Sequence, residues 1–157
     1  MTAFLQSIAD WPGAVFLQEY WIAYLIVNAA HILGICLLLG SILPLDWLLL
    51  RSTRGRDLPI LGPFLVRTAA TGVTLAVMTG LWLFSVKPAE YVENPAFRYK
   101  AALLSLAIIN IAFQHRGGQF EDALSTGQPK LQIRILAAAS ASLWLSILLA
   151  GRWIGFV

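Results

Sequence analysis

Four apolar runs, at roughly 20–46, 64–86, 99–115 and 131–153, constrain this chain more than any other feature of its sequence. A helix needs about 20 mainly apolar residues to cross a hydrocarbon core ~30 Å thick. In lipid every backbone N–H and C=O must find its partner inside the segment, so the runs predict helices. The first opens with Tyr20, Trp21 and Tyr24, an interfacial aromatic belt, and runs past Pro44 to Trp47. The second begins after Gly62-Pro63 and ends at Lys87-Pro88, and the third follows Pro95 and stops at Gly117-Gly118. The fourth begins near Lys130 and closes at Arg152-Trp153. The expected fold is all-α: an integral membrane four-helix antiparallel bundle, one membrane domain over 1–157.

Composition agrees with lipid as the solvent. Apolar residues make up 59% of the chain and charged ones 12%, against about 45–50% and about 25% in a soluble domain. The net charge of +3 comes from 11 Lys and Arg scattered among the spans. No basic stretch interleaves with aromatics, so nucleic acid is excluded as a partner and the bilayer takes its place. The single cysteine, Cys36, excludes an internal disulfide framework and a CxxC site.

Lys and Arg give an orientation. Arg51, Arg54, Arg56, Arg67, Arg116, Lys130 and Arg134, 7 in all, accompany the first and third connections, and Lys87, Arg98, Lys100 and Arg152, 4 in all, lie on the other side. The positive-inside rule puts the first group in the cytoplasm and both termini outside, in a bacterial inner membrane. The N-terminal stretch has no Lys or Arg before the first span, hence no basic n-region of a signal peptide. Phe4, Ile8 and Trp11 at helical spacing predict a short N-terminal interfacial helix before Pro12-Gly13. "RSTRGRDLP" and "RGGQFEDALSTGQPK" read as cytoplasmic loops and "KPAEYVENPAF" as an outer loop. Ala69, Gly72, Ala76 and Gly80 on span two, and Ala137, Ser140 and Ala141 on span four, are small-residue faces for helix contact.

Polar residues within the spans are the candidate functional groups, because ionisable side chains at depth cost several kcal/mol and usually face the bundle with a task. His31 lies ten residues below Trp21, ~15 Å deep at ~1.5 Å per residue. Asn28 is one turn above it on the same face, and Asn110 on span three comes at nearly its level. Gln114 and His115 lie one turn further toward the cytoplasm, and Lys100 lies near the outer boundary, free to snorkel outward. Asp46, two residues after Pro44, reads as an interfacial cap or a partner for Arg51 rather than as a proton carrier.

Two histidines on separate helices of such a bundle are a donor set for haem b, with His31 and His115 as the candidate metal ligands. Bis-histidine ligation needs both rings at one level, and these differ by ~6–10 Å at ~1.5 Å per residue. Ligation by His31 alone, with His115 or Lys100 near a propionate and Asn28 and Asn110 as polar company, avoids the difficulty. Zinc wants three or four ligands, which two histidines do not supply. Copper favours soft ligands, and the chain has 2 Met and one Cys.

"HILGICLLLGSILPLDWLLLR", with its early histidine, a later glycine and a Leu-Pro pair, resembles the first helix of HemJ-type protoporphyrinogen oxidases, and is similar to the membrane part of CopD-type copper-resistance proteins. "FRYKAALLSLAIINIAFQH" resembles their later helix that opens with a lysine, and "LAVMTGLWLFS" and "LWLSILLAGRWIGF" follow the general pattern. The resemblance covers most of the chain from Tyr20 onward. It implies a haem b or porphyrin site on His31 and Lys100, and an oxidoreductase acting on a porphyrinogen. Where the oxidase pattern has an arginine after Leu-Pro, this chain has "LPLDW", with Asp46.

The leading expectation is therefore a small membrane protein that binds haem b or a related tetrapyrrole through His31, for electron transfer or porphyrin handling. A redox partner or a homo-oligomer belongs to this reading. The rivals are a cofactor-free scaffold subunit, in which the polar residues only lock helices together, and a component of copper or other metal-ion transport.

Overall fold

The computed structural model describes residues 2–51 and 56–157. Arg54, counted above in the first connection, falls outside the described residues together with the rest of 52–55. Two short helices, α1 (Thr2–Ala9) and α2 (Pro12–Glu19), precede the long α3 (Trp21–Arg51) and α4 (Asp57–Val86). Then come α5 (Pro88–Glu93), α6 (Pro95–His115), α7 (Gln119–Thr126) and α8 (Leu131–Trp153), which ends in a 3-10 turn at Ile154–Phe156. There is no strand among the described residues, and the protein is all-α. Four helices, α3, α4, α6 and α8, are long and apolar enough to cross a membrane. Their outward faces carry large apolar side chains such as Ile22, Ile32, Met78, Ile108 and Leu149, all exposed, which is the surface that lipid rather than water solvates.

The boundaries differ from the sequence reading in instructive places. The helix of span one continues through Pro44 to Arg51, and span two begins at Asp57 with Pro63 inside it. Each proline deletes one backbone bond, which a transmembrane helix tolerates where neighbours cover the freed carbonyl. Span three starts at Pro95, where Asn94 caps it by accepting the Phe97 N–H at 3.2 Å and proline occupies the first turn. Two expected loops contain helices. The connection between α6 and α8 forms α7 between Gly118 and Gly127, whose φ of 72° and 68° suits residues without a Cβ. The connection between α4 and α6 forms α5.

The N-terminal segment is two docked helices rather than one. The Trp82 indole N–H donates to the Gly13 carbonyl at 2.8 Å, and the Gln18 amide donates to the carbonyls of Ala9 and Val86. Phe84, Tyr91 and Phe97 stack beside them and tie α4 to α6 at the same end.

The closest helix pair is α3 with α4. Val27, His31, Gly34 and Leu38 repeat at four- and three-residue steps along α3 and meet Leu83, Gly80, Ala76 and Gly72 of the antiparallel α4. A Cβ on Gly34 would come within 2.7 Å of the Ala76 backbone nitrogen and 3.0 Å of the Gly72 carbonyl oxygen, so the two backbones approach closely where Gly34 and Gly72 have no side chain. The small-residue face of span two thus makes the helix contact it predicts. α6 pairs with α8, and α8 with α3, while α4 and α6 stand apart along their backbones. Trp144 of α8 fills that gap, clustered with Leu38, Ala69, Ala107 and Ile147 from all four long helices. A second cluster (Leu45, Leu49, Leu58, Ile133 and Ala137) closes the opposite end under Phe120 and Ala123 of α7.

Candidate functional site

Gly80 decides where His31 sits. A Cβ on that glycine would lie 2.9 Å from His31 Cε1, 3.4 Å from Nδ1 and 3.9 Å from Nε2. The ring therefore rests against α4, with Cε1 nearest to it and both nitrogens within 3.9 Å of that position. His31 Nδ1 lies 3.1 Å from Thr79 Oγ1. The Thr79 hydroxyl has one proton, and it is spent on the Leu75 carbonyl at 2.5 Å, within its own helix. With its proton on that carbonyl the hydroxyl accepts from Nδ1–H, which is the tautomer this geometry favours. In the neutral ring that tautomer puts a lone pair on Nε2, the form in which an imidazole ligates a metal, and the Ala76 backbone also lies within hydrogen-bonding reach of the ring.

Lys100 of α6 is the nearby charge, and its field reaches the His31 ring. Its stem runs along Gly151 of α8, whose Cβ position is 3.6 Å from Cε and from Nζ. The residue is only part-exposed, so it lies on the bundle rather than extending fully into the interface. His31 lies ten residues into α3 and Gly80 six residues from the end of α4. The site therefore belongs to the half of the bundle that carries α1, α2 and α5.

The other candidates lie elsewhere. His115 is exposed at the opposite end of the molecule, where Nδ1 faces the Ile111 carbonyl at 3.0 Å and the ring packs on Phe120 at 4.7 Å. It does not share a centre with His31. Asn110 is buried and donates to the Leu136 carbonyl at 3.2 Å, a bond that locks α6 to α8 and leaves His31 alone. Asn28 is exposed. Among the described residues no three His, Cys, Asp or Glu side chains gather to hold a metal ion, so a closed zinc-type site has no donors here.

Asp46 overturns its expected role. It is 0% exposed, both carboxylate oxygens lack a hydrogen-bond partner, and Arg51 instead lies exposed over the Trp47 ring at 6.0 Å. The reason is the passage of α3 through Pro44, which carries Asp46 inward between α8 and the lower core rather than out to an interface.

Thr79, Gly80 and Gly151 were not among the sequence candidates. A threonine bonded to its own helix looks like a surface residue, yet Thr79 precedes the last glycine of the small-residue stripe, and that adjacency was the available signal. Comparison of the chain with protein families, curated proteins and solved structures finds no match in any of the three.

Proposed function

We propose that this chain is a bacterial inner-membrane protein, with both termini on the periplasmic side, that binds haem b or a related tetrapyrrole through His31 Nε2. The carrying observation is the contact of His31 Nδ1 with the Thr79 hydroxyl, whose own bond to Leu75 favours the ring proton on Nδ1 and the lone pair on Nε2. One imidazole with a favoured tautomer, set in apolar walls, suits a planar macrocycle that takes its equatorial donors from itself. A protein-supplied zinc or copper cage would need more donors than gather here. Lys100 provides a cation for a propionate, and Gly80 and Gly151 keep the helix surfaces beside the two side chains low. A bound haem b would supply one-electron redox chemistry, while the chain holds and orients it and keeps water away. The resemblance of "HILGICLLLGSILPLDW" and "FRYKAALL" to HemJ- and CopD-type helices supports the same pair of residues, His31 and Lys100.

The test is the absorption spectrum of detergent-purified protein from haem-sufficient cells, before and after dithionite. A Soret band with sharpened reduced α and β bands is the expected result, lost in His31→Ala and kept in His115→Ala. A colourless wild type overturns the reading. It leaves a scaffold in which the His31–Thr79 bond only locks α3 to α4.

A further inference from the structure

A second polar centre lies on the other side of the Trp144 cluster. Asp46 of α3 and Ser140 of α8, 0% and 2% exposed, face one another there. The serine hydroxyl is not in hydrogen-bonding geometry with the carboxylate, and neither Asp46 oxygen has a partner. An ionised carboxylate cannot stay in that state. Moved out of water without a cation or hydrogen-bond donors, it costs several kcal/mol, and a carboxyl group in that position takes up a proton instead.

The surrounding charges offer no alternative. At this end of the bundle α3 carries Arg51, α4 carries Asp57 and Arg67, and α7 carries Glu121 and Asp122, all exposed. His115 and Arg116 of α6 and Lys130 of α8 are exposed too. Arg134 of α8 is part-buried and donates to the Leu50 carbonyl, one turn beyond Asp46. None of them bonds to the carboxyl. A metal cation is no substitute, since hard ions take six or more oxygens and only the Asp46 and Ser140 side chains converge.

We infer that Asp46, with Ser140 beside it, is a proton-binding site: a carboxylic acid held in the bundle, able to release and regain its proton. It lies five residues from the end of α3, ~7.5 Å along the axis at ~1.5 Å per residue. The aqueous phase that serves it is therefore the one at the Arg51 and Asp57 ends of the helices. A proton there changes the charge of the bundle interior without moving a helix. The inference is independent of haem binding.

Every other carboxylate in the chain is exposed, namely Asp10, Glu19, Asp57, Glu90, Glu93, Glu121 and Asp122. This makes the test specific. Infrared spectra of the full chain in lipid at neutral pH are expected to show one deuterium-sensitive C=O band of a buried carboxylic acid. The near-isosteric Asp46→Asn should abolish it, and Ser140→Ala should shift its frequency without removing it. In parallel, a hydrophobic carbodiimide, which adds only to a protonated carboxyl, is expected to label the Asp46 peptide by mass spectrometry, with the yield falling as pH rises. A wild type without the band, or a band that survives Asp46→Asn, overturns the proposal. So does labelling that ignores pH.

Discussion

Thr79 has one hydroxyl proton and gives it to Leu75, so replacing it with valine removes the acceptor for His31 Nδ1–H while keeping the side-chain shape. Losing such an outer partner typically weakens metal binding by about 10–100-fold. Thr79→Val is therefore expected to lower haem affinity by that order, measured by titration of apoprotein, whereas Thr79→Ser restores it. A protein whose affinity ignores the valine would show that the hydroxyl does not orient the ring. Gly80→Ala acts on the same side chain by contact, since its Cβ would stand 2.9 Å from Cε1 and push the ring off α4. At this scale the sequence was only partly legible. His31 stood out because an imidazole in an apolar run is costly, and Lys100 because it heads a span. Their neighbours did not, since a glycine and a helix-bonded threonine look the same in any transmembrane helix. Asp46 was misread because Pro44 two residues earlier looks like a helix end, and nothing local says that the helix goes on.

Gly34 and Gly72 show how an element depends on missing atoms. A Cβ at Gly72 would reach the Leu38 backbone, which has no soft end to give way, so α3 and α4 must part. Overpacking of this kind costs about 1–3 kcal/mol. Gly72→Ala is expected to lower the midpoint of thermal unfolding in detergent and to disturb the His31 site two contacts further along the same seam. Hydropathy found all four long helices, because burial in lipid demands apolar length. The same criterion could not find α5 and α7, which are short and polar; the stops of α7 depend on glycine conformations and on packing of Phe120 and Ala123. Nor could it fix the start of α4, where Gly62 and Pro63 resemble a boundary but lie within the helix. Within α5, burial and the Tyr24 phenol hold Tyr91 above the ordinary tyrosine value of 10.0. The folded chain thus keeps a proton that the unfolded chain releases. The contribution is complete below the ordinary value and lost as pH climbs above it. Tyr91→Phe is expected to flatten the fall in stability at alkaline pH, read as melting temperature against pH.

Trp144 is the largest side chain of the buried cluster to which all four long helices contribute. Removing a buried tryptophan typically costs about 3–5 kcal/mol. Trp144→Ala is expected to be the least stable of these variants, and a fluorescent apolar probe should enter the void. A variant that melts like the wild type would mean that the helices close up without it. The same residue has an electrical consequence. His31 and Asp46 lie on opposite sides of an apolar layer built around Leu38, Ala69, Ala107, Trp144 and Ile147. That layer is a dielectric barrier within the protein between the two polar groups. Vesicles that carry the chain should hold a membrane potential as well as empty ones, so the two groups communicate through the field across the layer rather than by the passage of ions.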